Sequence, residues 1–103
     1  MTYKVTQSVP ADLDLDGIVF YIVGQLKNPK AAKELLGEYE ERLKNLRTSP
    51  KLYRLSRFER LARMGYRVFP FGNYLGFYTI DEAEKEVFIV RLFHQRQDYE
   101  AYF

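Results

Sequence analysis

The sequence predicts an α+β fold: a short N-terminal strand, an antiparallel helical hairpin, then a three-stranded antiparallel meander. Together they form one mostly antiparallel sheet with the helices on one face. Two observations carry this reading. Apolar residues recur at spacings of three and four through the first half of the chain, whereas the second half holds three β-rich runs separated by short turn signals. The length, 103 residues, suits a single domain over 1–103, able to bury about two thirds of its unfolded surface.

Tyr3–Gln7 alternates polar and apolar residues and reads as the first strand. Ser8 is a suitable N-cap and Pro10 fits a first helical turn. Asp12, Asp14 and Asp16 complement the positive end of the helix. Leu15, Ile18, Val19, Ile22 and Leu26 then form one stripe, so the helix is expected to run to about Leu26. Asn28-Pro29 is an N-cap followed by proline at the first helical position, so a second helix begins almost at once. Its stripe is Ala32, Leu35, Leu36, Tyr39, Leu43 and Leu46, and Thr48-Ser49-Pro50 ends it. A link of two or three residues makes the two helices an antiparallel hairpin that needs a sheet to cover.

Leu52, Leu55, Phe58, Leu61 and Met64 recur every third residue, a period that suits neither helix nor strand. A loop with a short helical turn near Phe58–Met64 is expected there. Tyr66–Phe71 is the second strand, with Pro70 placing it near an edge or bulge. Gly72-Asn73 is a two-residue turn, Tyr74–Asp81 the third strand, and Glu82–Lys85 a polar turn. Glu86–Phe93 is the fourth. Apolar except at Glu86 and Arg91, it reads as an interior strand covered on both faces before the chain turns polar at His94–Asp98 and lands on Tyr99.

Composition excludes several classes. Cysteine is absent, which removes disulfides and thiolate chemistry, and the single histidine stands without a metal-ligand pattern. No phosphate-binding glycine loop, membrane anchor, signal peptide or cofactor motif is seen, so a cytoplasmic protein is expected. The net charge is only +2, but eight of the sixteen cations lie between Lys44 and Arg67 with one acid, Glu59. The remaining eight cations share the rest of the chain with thirteen acids. Such polarity suits an anionic partner, either nucleic acid or an acidic peptide.

The order strand–helix–helix–strand–strand–strand resembles the RelE/ParE superfamily of bacterial toxin–antitoxin toxins. The local words agree: Tyr3-Lys4-Val5, Asn28-Pro29 with Ala31-Ala32, Gly65-Tyr66-Arg67, Asn73-Tyr74 with Phe77-Tyr78, and Val90-Arg91-Leu92-Phe93-His94 with Arg96 and Asp98. The resemblance implies a toxin that arrests growth, supports plasmid stabilization and is silenced by a cognate antitoxin. It also implies one of two targets. ParE-like members bind DNA gyrase without known hydrolysis, whereas RelE-like members cut mRNA on the ribosome. The antitoxin is expected to be an acidic, partly disordered segment that lays an apolar helix into a groove beside the hairpin or the sheet. Its acids would meet Lys51, Arg54, Arg57, Arg60 and Arg63.

RNA cleavage needs a base, an acid and a cation at the phosphate. His94, Arg67, Arg91 and Tyr99 or Tyr102 supply the residue types, and they are the catalytic candidates if the chain is a ribonuclease. The alternative for His94 is a strand-end histidine bonded to Asp98. RelE-like ribonucleases usually carry an arginine in a Tyr-Arg-x-x-Tyr motif, and this chain has Leu75 in that place, within Tyr74-Leu75-Gly76-Phe77-Tyr78. That departure favours the ParE-like branch. Arg67, Arg91, His94, Arg96 and Tyr99 then become candidates for target binding. Arg91 alternates with Ile89 and Phe93, which puts all three on one face; either it pairs with an internal acid or that face is open and it awaits an acidic partner. Because the hairpin covers one face only, the open alternative is favoured.

Overall fold

In the computed structural model, which describes residues 2–103, the elements follow the expected order. Strand β1 (Lys4–Gln7) leads into helices α1 (Val9–Phe20) and α2 (Pro29–Thr48). A short helix α3 (Glu59–Arg63) precedes strands β2 (Arg67–Phe71), β3 (Tyr74–Asp81) and β4 (Glu86–His94), and a 3₁₀ turn (Tyr99–Tyr102) closes the chain. The sheet order is β1-β4-β3-β2, with β1 parallel to β4 and the other pairs antiparallel. The apolar run of β4 is thus interior, as its composition required.

Ser8 ties the first turn of α1 to the sheet. Its Oγ accepts the Ala11 N–H at 3.0 Å as an N-cap and donates to the Val90 carbonyl at 2.7 Å. Helix α1 stops earlier than its stripe predicted: from Tyr21 to Gln25 the chain forms a π-helical turn, with Leu26 N–H bonded to the Tyr21 carbonyl five residues back. Helix α2 starts where Asn28-Pro29 required, its Asn28 side chain accepting from Ala31 N–H at 3.1 Å.

One face of the sheet packs under the hairpin. Ala11, Tyr39 and Leu46 meet Phe69, Phe71, Tyr78, Val87, Ile89 and Leu92 there. Gly76 leaves room for this layer, because a Cβ at that position would lie 2.2 Å from the Phe69 ring. The β2–β3 turn likewise needs Gly72, which has φ +56° and would drive a Cβ to 2.5 Å from Leu35.

The other face is not open. Leu61, Phe77, Phe93 and Tyr99 form a second core there, flanked by Phe58, Tyr66, Val68, Leu75 and Phe103. The period-three stretch explains it: residues 54–56 run extended beside β2, with a bridge from Leu55 to Arg67, and α3 then drops Leu61 onto the sheet. Arginine 60 fastens the chain end by donating to the carbonyls of Phe103 (3.0 Å) and Glu100 (2.9 Å).

A β-bulge corrects the predicted side-chain alternation in β4. Phe77 pairs with Arg91 and Tyr78 with Ile89, so Val90 is the extra residue. Ile89 and Leu92 therefore both face the hairpin, and Ile89 does not share a face with Phe93. Arg91 lies against Phe93, its guanidinium carbon 4.8 Å from the ring centroid.

Tyr78 gives this core a pH dependence. Its side chain is fully buried and its hydroxyl donates to the Pro50 carbonyl at 2.7 Å. Burial pushes its pKa from 10 up to about 12, the positive charge of Arg67 offsetting only part. The folded state therefore holds the proton where the unfolded chain has lost it. This contribution to stability is complete below pH 10 and falls away as pH rises toward 12, a loss on the order of 2 kcal/mol. Thermal unfolding followed between pH 9 and pH 11.5 should show a falling midpoint, and Tyr78→Phe should flatten part of that slope.

Candidate functional site

Two clefts lie at the β3–β4 end of the sheet, on opposite faces. The first, about 490 Å³, has an apolar floor of Leu55, Val68, Leu75 and Tyr99. Arg54, Arg57 and Arg96 surround it, together with Ser56 and Gln95. The backbone builds this basin from two sides. On one, Ser56 N–H bonds the Tyr66 carbonyl at 2.9 Å and Val68 N–H bonds the Arg54 carbonyl at 3.2 Å, holding the arginine loop against β2. Ser56 is itself buried, and its Oγ accepts the Phe58 N–H at 3.1 Å. On the other side, Gln95 N–H bonds the Asn73 carbonyl at 2.9 Å, and Gln97 N–H the His94 carbonyl at 2.9 Å, which turns the chain tightly at Arg96.

The predicted cations divide by what holds them. Lys51 faces Glu82 at 3.7 Å, Arg63 pairs with Glu59, and Arg60 serves the C-terminal carbonyls. Arg67 shares the hairpin side with Phe69 and Phe71 and donates to the Tyr53 carbonyl at 2.7 Å. Arg91 is likewise engaged, which corrects the expectation that it awaits a partner. Asp14 of α1 accepts from its Nε at 2.7 Å and from a terminal nitrogen at 3.0 Å, and takes the Leu92 N–H at 2.9 Å as well. That bonding raises the Arg91 pKa further. Arg54, Arg57 and Arg96 are exposed and enter no ion pair among the described residues. Arg57 stacks over Phe58 at 5.1 Å.

The acid–base candidates are elsewhere. His94 pairs across the sheet with Tyr74, and the two rings meet edge to face at 5.3 Å on the hairpin side. There it lines the second cleft, about 580 Å³, with Asp14, Tyr21 and Tyr74 among its walls. Burial, and then the neighbouring Tyr21 phenol, raise the Tyr74 pKa. The His94 ring is held by its Nδ1, which accepts the Arg96 N–H at 3.1 Å, rather than by Asp98. Tyr99 is only 7 % exposed, its ring 5.0 Å from Phe77 and 5.6 Å from Phe58. Tyr102 is exposed and lies under Arg91 at 5.3 Å.

The side chains of Arg54, Arg57 and Arg96 thus rim one cleft, floored in part by Leu75, while the His94 ring lines the other and meets Arg96 only through its backbone N–H. General acid–base chemistry needs the base within hydrogen-bond reach of the proton it takes. The arginine cleft offers anion binding over an apolar surface, and its lining residues include no histidine. Sequence reasoning missed Asp14, whose position among three helix-start acids looked like dipole complementation, and it missed Ser56 and Gln95, which carry no pattern of their own.

Comparison with known proteins places the chain among toxin folds. A family model described as the ParE toxin of the type II toxin–antitoxin system parDE matches residues 5–99. No curated protein matches. Among solved structures, a chain of the chromosomal ParDE system from P. aeruginosa superposes with a TM-score of 0.70 at 21 % identity, covering 89 % of this chain and 95 % of that one. A chain of the RelBE2 toxin–antitoxin complex from Mycobacterium tuberculosis gives 0.54 at 20 % identity, covering 91 % and 99 %.

Proposed function

The chain belongs to the ParE toxins of type II toxin–antitoxin systems, and from that premise we propose that it arrests growth in the cytoplasm by binding and inhibiting DNA gyrase until a cognate antitoxin neutralises it. One observation carries the choice of mechanism: the only histidine lies on the hairpin side of the sheet, while Arg54, Arg57 and Arg96 ring Leu75 on the other. A ribonuclease reading needs base and phosphate cations around one scissile bond. Losing a single preorganised charged donor from such a site costs on the order of 3–4 kcal/mol in the transition state. Of the five candidates for target contact, Arg96 is the one that stands exposed and unpaired.

A supercoiling assay with purified gyrase, run beside primer extension on translating ribosomes, tests this. Loss of supercoiling with intact mRNA is the expected outcome. The ribosome-dependent endoribonuclease reading expects codon-positioned cuts that vanish in His94→Ala; such cuts would replace the gyrase reading.

A further inference from the structure

We propose that the outer face of the helical hairpin is a contact between two copies of this chain, paired about a two-fold axis with their α1 helices antiparallel. Helix α1 is apolar on both sides, although only one side faces the sheet. Inward, it sets Ala11, Leu15 and Ile18 on the core. Outward, Val9, Leu13, Phe20 and Val23 stand exposed along one face, Phe20 most of all at 77 %. A surface helix ordinarily keeps that outer face polar, so an apolar one is a face that a partner covers.

The groove beside Phe20 selects a second copy as that partner. Leu15, Val19, Val23 and Gly24 line it from α1 and the turn that follows, and Leu36 from α2, around about 500 Å³. Asp16 is the one charged residue in its walls. The space suits an aromatic ring, and Phe20 holds one out at its rim. A side chain projecting next to the groove it would fill is the layout of an isologous interface. With Phe20 near the two-fold axis, each ring enters the other copy's groove.

The charges along the hairpin fit the same pairing. From Ser8 to Leu26 the only charged residues are Asp12, Asp14 and Asp16, whereas Lys27, Lys30 and Lys33 follow with no acid among them. Asp14 is held by Arg91, but Asp16, Lys27 and Lys30 are exposed and enter no ion pair among the described residues. At about 1.5 Å per residue, Asp16 lies about 6 Å from Phe20 along the axis, and the partner's Lys27 about 10 Å to the same side. A lysine side chain spans that difference. An acidic segment or an anionic membrane would instead be repelled by Asp12 and Asp16 at one end of the face. The face is one helix broad, so the contact belongs with small interfaces, below about 1,200 Å² in total. The dimer should therefore dissociate on the order of 10 μM.

Sedimentation velocity of the full chain, made by cell-free synthesis, tests the pairing. The wild type should pass from monomer to dimer across that concentration. Phe20→Gln should remain a monomer at ten times that concentration and keep its melting temperature, because it alters an exposed side chain. Asp16→Lys and Lys27→Asp should each weaken the dimer about tenfold, since each sets like charges opposite one another. Lys27 has φ +51°, a conformation that Asp also adopts, so the second variant should fold. An equimolar mixture of these two variants should pair as well as the wild type, because both contacts then join opposite charges. A wild type that stays monomeric, a dimer indifferent to Phe20→Gln, or a mixture no tighter than its two components would each overturn the proposal. Phe20-dependent binding of the monomer to phosphatidylglycerol vesicles would overturn it too, by giving the face to a membrane. None of these readouts involves gyrase, so failure here leaves the target reading standing.

Discussion

Phe77→Ala should destabilise the protein by about 3–5 kcal/mol, enough to unfold a marginal domain of this size near physiological temperature. Phe77 is fully buried and sits at the centre of the second core, 5.8 Å from Phe93, 5.0 Å from Tyr99 and 5.1 Å from Phe103 between ring centroids. Its removal opens a cavity that the strand backbone cannot collapse, because β3 is bonded to β2 and β4 on both sides. The 3₁₀ turn would lose its main support, so trypsin should reach Arg96 faster in this variant at a temperature where both proteins remain mostly folded. Denaturant unfolding of Phe77→Ala beside Phe103→Ala gives the comparison. Phe103 lies at the end of the chain and is only half-buried, so its truncation should cost less. A loss below about 1 kcal/mol for Phe77→Ala would mean that the second core contributes little to the fold.

That core also shows what could be read from the sequence and what could not. The interior position of β4 was legible, because seven residues rich in β-branched and aromatic types tolerate few other environments. The caps at Ser8 and Asn28 were legible for a similar reason: their chemistry is local. The covering of the second face was not, since Tyr99 and Phe103 reach Phe77 and Phe93 only after a tight turn whose direction no period encodes. The bulge at Val90 was hidden as well. A period of two carries side chains to alternate faces only until an extra residue intervenes, and nothing in Ile89-Val90-Arg91 announces one.

The candidate site was legible in kind and not in grouping. A run of cations every third residue marked the arginine loop, but spacing could not say which charges are neutralised internally. Arg60, Arg63 and Lys51 turned out to be engaged through partners 43, 4 and 31 residues away in sequence. Arg54 and Arg57 stayed free, and Arg96 joined them from the far end of the chain.

Asp14→Ala should cost about 2–3 kcal/mol and lower the melting temperature by roughly 10–20 °C, at 4–8 °C per kcal/mol for a domain of this size. The carboxylate does three jobs at once: it accepts twice from Arg91 and once from Leu92 N–H. Ala leaves a guanidinium without its counter-charge at a half-buried position, and an unsatisfied strand amide where β1 no longer runs beside β4. Asp14→Asn separates the two contributions. Its amide oxygen can still accept from Leu92 N–H but lacks the charge that faces Arg91, so it should recover a part of the loss and not all of it. Asp14→Leu and Arg91→Met are the single arms of a double-mutant cycle. If the pair acts mainly by avoiding an uncompensated charge, the double variant Asp14→Leu/Arg91→Met should be more stable than Asp14→Ala alone, because replacing both charges with apolar groups removes the stranded guanidinium. Equal stability of Asp14→Ala and the wild type, measured by denaturant unfolding, would show that Arg91 is held by Phe93 and Tyr102 without help from α1.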